Sequence, residues 1–73
     1  MLAECVTLGG FAARIDEARR GDESAALIGC VLVDGEQKAV VWRRNGKARW
    51  LTADFDLGEH DVDFMIRNFA QDD

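Results

Sequence analysis

The sequence predicts a small α+β domain, a three-stranded antiparallel meander with two helices packed on one face, in the order α-β-β-β-α. Three observations predict it. Apolar residues recur at helical spacing near both ends of the chain, a dense apolar run occupies residues 26–33, and two hairpin dipeptides, Asp34-Gly35 and Asn45-Gly46, follow that run. At 73 residues the chain has room for one core, so residues 1–73 form one domain.

The first helix spans about residues 3–20. Leu8, Phe11, Ile15 and Ala18 are spaced by three or four, Arg19 and Arg20 suit a helix C-terminus, and Gly21 suits the position after it. Gly9-Gly10 is its weak point, because two interior glycines cost about 2 kcal/mol relative to alanine. The alternatives are a helix starting after them, or a short strand over residues 5–8.

Strands follow at about 26–33, 37–44 and 47–54, each pair joined by a two-residue turn. The last helix spans about 59–70. Val62, Met65, Ile66 and Phe69 form its stripe, Asp56 or Gly58 caps it, and Glu59, Asp61 and Asp63 crowd its positive end.

Turn register assigns side chains to faces. Across Asp34-Gly35, Leu32 pairs with Gln37, Val31 with Lys38 and Cys30 with Ala39. Across Asn45-Gly46, Arg44 pairs with Lys47, Trp42 with Arg49 and Val41 with Trp50. One face then presents Ile28, Cys30, Leu32, Ala39, Val41, Ala48 and Trp50, apolar enough to lie under the helices. The other carries Leu27, Val31, Val33, Val40, Trp42 and Leu51 among Lys38, Arg44, Lys47 and Arg49. Left open, that second face is an apolar patch framed by bases, with the tryptophan and arginine enriched at binding hot spots.

The net charge of −5 is unevenly spread. Residues 36–50 carry Lys38, Arg43, Arg44, Lys47 and Arg49 against Glu36, a balance of +4. Residues 53–73 carry Asp54, Asp56, Glu59, Asp61, Asp63, Asp72 and Asp73 against Arg67, a balance of −6. No apolar run reaches the length that spans a bilayer, and the first residues lack the basic start of a signal peptide, so a cytoplasmic location is expected. Cys5 and Cys30 are too few for a disulfide framework and are expected as small buried apolar side chains.

Catalytic and metal chemistry find little support. Counted from Asp54, the sixth and twelfth positions hold Glu59 and Met65, where a calcium loop needs glycine and glutamate. His60 is the single histidine, and no paired-cysteine or paired-histidine spacing accompanies it. Ser24, Thr7 and Thr52 lack the surroundings of a nucleophile. No enzyme activity, no metal and no cofactor are expected.

The element order resembles that of double-stranded-RNA-binding domains, in topology alone. That resemblance implies lysines at the start of the last helix, where this chain has Glu59, His60, Asp61 and Asp63. In size and charge the chain is also similar to some small acidic anti-CRISPR and anti-restriction proteins of phages, a likeness that carries no motif.

The sequence therefore points to a non-catalytic protein that binds another macromolecule. The expected partner is a protein, as an inhibitor or modulator of a nucleic-acid-handling or host-defence complex. A homodimer through the open sheet face is a second form of the same reading. The expected contact residues are Val31, Val40, Trp42, Arg44, Lys47, Arg49 and Leu51, with an acidic surface of Asp54, Asp56, Glu59, Asp61 and Asp63. The alternative is a nucleic-acid-binding module using the basic hairpin 38–50, where tryptophans alternate with cations.

Overall fold

A computed structural model describes residues 2–50 and 52–70. It shows one sheet of four antiparallel strands and a single long helix. The strands are β1 (Ala3–Val6), β2 (Ala12–Ala18), β3 (Leu27–Val33) and β4 (Glu36–Trp42), adjacent in chain order. A 3-10 turn at Ala53–Phe55 precedes α1 (Glu59–Phe69).

This corrects the predicted order at its start. Residues 3–20 form a hairpin and not a helix. Gly9-Gly10 decides the matter. Gly10 has φ of +90°, a conformation foreign to a right-handed helix, and its N–H closes the turn onto the Thr7 carbonyl at 2.9 Å. The Thr7 hydroxyl accepts the Phe11 N–H at 3.0 Å, and the Leu8 and Gly9 N–H groups donate to the Asp56 and Asp54 carbonyls. The helical spacing from Ile15 to Ala18 has a different origin. The β2–β3 register slips between Ile15 and Glu17, and this bulge returns Ala18 to the face that holds Ala13 and Ile15.

The Asp34-Gly35 turn matches the expected geometry. Both residues have positive φ, 51° and 80°, and the pairs Leu32–Gln37, Val31–Lys38 and Cys30–Ala39 form as read.

The expected third strand, 47–54, is a second correction. It survives as one isolated bridge, Trp42 with Ala48, before the chain turns away. The Ala48 N–H is taken by the Asp56 carboxylate at 2.8 Å, and among the described residues no further bridge follows. The turn itself holds three residues and not two. The Arg43 N–H donates to the Lys47 carbonyl at 2.9 Å, and the Gly46 N–H returns to the Arg43 carbonyl at 2.8 Å. Trp42 therefore faces Ala48, where Arg49 was expected, and the side chains beyond the turn change faces.

The helix covers the opposite face of the sheet from the one expected. Leu27, Val31, Val40 and Trp42 are buried with Ala13, Ile15 and Ala18 beneath Val62, Met65 and Ile66 of α1. Phe55 and Leu57, from the connector into α1, close the same core. Trp42 was expected at the centre of an open patch and is fully buried, while Trp50, expected beneath the helices, is 45% exposed. The helix that was to occupy residues 3–20 is absent, so one apolar helix face is available and it seals the sheet face with the larger side chains. The last helix itself agrees with its sequence reading. Gly58 is its N-cap, Glu59 and Asp61 lie in its first turn, and Val62, Met65 and Ile66 are buried.

Candidate functional site

The segment after β4 is built by two constraints. Gly46 has φ of +91°, and a Cβ there would run into the Leu57 carbonyl oxygen, so the position requires glycine twice over. The Asn45 side-chain oxygen accepts the Lys47 N–H at 3.0 Å and stiffens the turn. Beyond it, the Arg49 N–H donates to the Val41 carbonyl at 2.8 Å, and the Trp50 indole N–H donates to the Ala39 carbonyl at 2.9 Å. These bonds occupy acceptors on the outer edge of β4, an edge that would otherwise invite pairing with another chain. They also fix Trp50 in place. Its ring meets Phe55 edge-on, with centroids 5.8 Å apart, and Phe55 meets Phe11 the same way at 5.5 Å. Trp50 is thus a half-exposed ring held by a backbone acceptor and a buried aromatic.

Around that ring the cations stand apart from the others in the chain. Arg14 pairs with Glu4 at 3.9 Å, Arg19 with Glu17 at 3.2 Å, Lys38 with Glu36 at 3.6 Å. Arg44 and Arg67 both reach Asp63, at 2.7 and 3.2 Å. Arg20 donates to the Ile66 carbonyl at 3.1 Å. Arg43, Lys47 and Arg49 are exposed, and their side chains form no ion pair or hydrogen bond among the described residues. All three line one surface hollow with Ala48 and Trp50. Arg43 and Arg49 also border a neighbouring groove with Arg44 and His60, so the two depressions share a basic wall. Glu59 and Asp63 of α1 and Glu23 of the β2–β3 connection stand on that groove as well and bound the positive region.

The expected contact residues are divided by this arrangement. Val31, Val40 and Trp42 are core residues with no exposed surface to offer. The half-buried Arg44 is committed to Asp63. Lys47 and Arg49 are exposed, and Leu51 lies outside the described residues. Arg43 and Trp50 are missing from that set, although both belong to the basic hairpin of the alternative. A three-residue turn at 44–46 is the signal that would have put Trp50 outside.

The acidic set does not form one surface. The Asp56 carboxylate holds the Ala48 N–H, and Asp63 joins α1 to Arg44. The Arg44 hydrogen bond, aided by the Arg67 charge, holds the Asp63 carboxyl below the usual aspartate range. Asp54, Glu59 and Asp61 remain exposed.

The face of the sheet away from α1 carries half-buried Ile28, Cys30, Leu32 and Val41 and the 60% exposed Val6, and no described element packs on it. Cys30 lies on this face and Cys5 on the other; both are free thiols and only partly buried. Burial, with the nearby Asp61 charge, pushes the Cys5 thiol up to about 11. Among the described residues no three His, Cys, Asp or Glu side chains gather as metal ligands, and no helix is long and apolar enough to cross a membrane.

Comparison with protein-family models, curated proteins and solved structures finds no match for this chain.

Proposed function

We propose that this chain is a non-catalytic binding protein that engages a negatively charged macromolecule through Arg43, Lys47 and Arg49. One observation carries the reading: in a chain of net charge −5, these three exposed cations have no partner among the described residues and share one hollow. Exposed carboxylates are plentiful, and the other lysine and five arginines find a carboxylate or a carbonyl. Leaving three cations together unneutralised raises the local positive potential at low stability cost, since exposed ion pairs contribute at most about 1 kcal/mol each. An inhibitor acting through its carboxylates has weaker support, because Asp56 and Asp63 are engaged inside the fold.

The reading is tested on immobilised heparin at low salt, with an uncharged matrix as control. Retention is expected for the wild type despite its negative charge, with elution as salt rises. The R43E/K47E/R49E variant is expected in the flow-through. Wild-type protein passing straight through the heparin column overturns the reading.

A second reading rests on the uncovered sheet face with Ile28, Cys30, Leu32 and Val41. Apolar residues gathered there suit self-association through that face, in place of the Trp42 face first expected. Sedimentation velocity over a hundredfold concentration range tests it: a wild type that stays monomeric throughout excludes this reading, and a dimer abolished by Leu32→Glu supports it.

A further inference from the structure

We infer that the partner of the basic hollow is a single-stranded nucleic acid, with Trp50 as the platform on which a base stacks. The inference rests on the proposed role of Arg43, Lys47 and Arg49 as contact cations and adds the chemistry of the partner. Cations alone would serve any polyanion. What distinguishes this surface is an aromatic ring among them that is accessible and also held by a hydrogen bond and a ring contact.

Trp50 is 45% exposed, which leaves part of an indole ring free to accept a planar ligand. The ring is held without a ligand by the 2.9 Å bond to the Ala39 carbonyl and the edge-on contact with Phe55. A ring already ordered loses little conformational entropy on binding, so more of the stacking energy appears as affinity. The other tryptophan is buried under α1, so the exposed indole is not a core residue left over at the surface.

The cations are placed to hold a chain and not a single ion. Lys47, Arg43 and Arg49 line the hollow beside Trp50, and Arg43 and Arg49 continue into the groove bordered by Arg44 and His60. An extended backbone with repeating phosphates can meet charges strung out in this way while a base turns toward the ring. Double-stranded nucleic acid hides its base faces within the stack and offers Trp50 no partner, so a single strand is favoured. Glu23 of the β2–β3 connection and Glu59 at the start of α1 line the same groove, repel phosphates and restrict the contact to a short stretch of strand. An acidic polypeptide would satisfy Arg43, Lys47 and Arg49 but has no use for a fixed aromatic platform.

The experiment titrates the intact protein with a ten-residue oligothymidylate, its duplex with oligoadenylate, heparin and poly-glutamate, at one low salt concentration. Intrinsic fluorescence and an independent binding signal are followed together. The oligothymidylate is expected to quench part of the emission and to bind more tightly than the duplex. Trp50→Ala is expected to weaken oligothymidylate binding about tenfold, the typical loss of one base stack, and to lower heparin affinity far less. Trp50→Phe keeps a ring, so it is expected to retain most of the affinity and lose the quenching. A Trp50→Ala chain that fails to fold, seen as loss of the native circular dichroism, leaves the Trp50→Phe comparison to decide.

The outcomes separate the two levels of the reading. Heparin and poly-glutamate binding without tryptophan quenching by the oligothymidylate overturns the nucleic-acid inference and leaves the polyanion-binding function standing, with an acidic protein segment as the partner. Equal loss of heparin and oligothymidylate affinity in a folded Trp50→Ala variant overturns the stacking role. Absence of binding to all four probes overturns both.

Discussion

The indole N–H of Trp42 donates to the backbone carbonyl of Phe55 at 2.7 Å, and the ring it belongs to has no solvent exposure. This bond ties the end of β4 to the connector that leads into α1. It also resolves the difficulty of burying an indole, whose N–H needs an acceptor wherever it lies. Phe55 in turn supports Trp50 on the surface, so the buried tryptophan and the exposed one are linked through a single residue.

Trp42→Ala is expected to remove about 3–5 kcal/mol of stability, enough to unfold a domain of this size at room temperature. Trp42→Phe retains most of the volume but orphans the Phe55 carbonyl, and about 1–3 kcal/mol is expected to go with it. Urea denaturation followed by circular dichroism ranks the two. Equal midpoints for wild type and Trp42→Phe would show that the bond to Phe55 contributes nothing.

Gly46→Ala tests the turn beneath the basic hollow. A left-handed alanine costs roughly 1–2 kcal/mol, and its Cβ meets the Leu57 carbonyl oxygen in addition. A loss of at least that size in a urea titration is expected. Gly35→Ala serves as comparison, since its φ is also positive but nothing lies within 4 Å of the added carbon. Gly46→Ala must therefore be the more damaging of the two.

Asp63 gives the fold an acid-sensitive contact. Its hydrogen bond from Arg44, with the Arg67 charge, depresses the folded-state pKa against a smaller opposing desolvation effect. A depressed carboxylate contributes stability above its unfolded value of about 3.9. That contribution fades as pH falls below that value and is gone once pH passes below the folded value. The Asp63 carboxyl carbon, followed by NMR, should titrate below the ordinary aspartate midpoint. Arg44→Gln should return it toward that midpoint, with the Arg67 and His60 charges accounting for any depression that persists.

The Cys5 thiol offers a chemical readout of burial. Raised to about 11, it holds almost no thiolate at pH 8. In a Cys30→Ser background, iodoacetamide should modify the folded protein far more slowly than the urea-unfolded chain at that pH. The gap should narrow as pH approaches 11. Equal rates at pH 8 would place Cys5 at the surface.

The last helix and the β3–β4 hairpin are legible in the sequence, and the obscure parts of the architecture have local causes. Val62, Met65, Ile66 and Phe69 announce α1 because nothing interrupts their period. Asp34-Gly35 announces the β3–β4 register because both turn residues tolerate positive φ. The β1–β2 hairpin is hidden because the bulge after Ile15 places Ala18 three residues further along the same face, and three is also a helical interval. The correct strand alternation, Ala13 and Ile15 inward with Ala12, Arg14 and Asp16 on the other side, is present but short. Lys38 disguised the core face as a solvent face; it stands near the end of the sheet, half-buried and paired with Glu36. The candidate site was half legible. Its basic hairpin stands out in the sequence, but the exposure of Trp50 depends on one extra residue in the turn at 44–46, which Asn45-Gly46 does not announce.

The central claim, that Arg43, Lys47 and Arg49 form the contact surface, is tested most directly by the salt dependence of binding. Affinity for the oligothymidylate is measured from 20 to 200 mM sodium chloride, for the wild type and for R43Q/K47Q/R49Q. Three phosphate contacts to a single strand, each contributing about −0.7, predict a slope near −2 for log affinity against log salt. The triple variant should bind weakly with a slope near zero. A wild-type slope near zero, or an unchanged slope in the triple variant, would contradict the account.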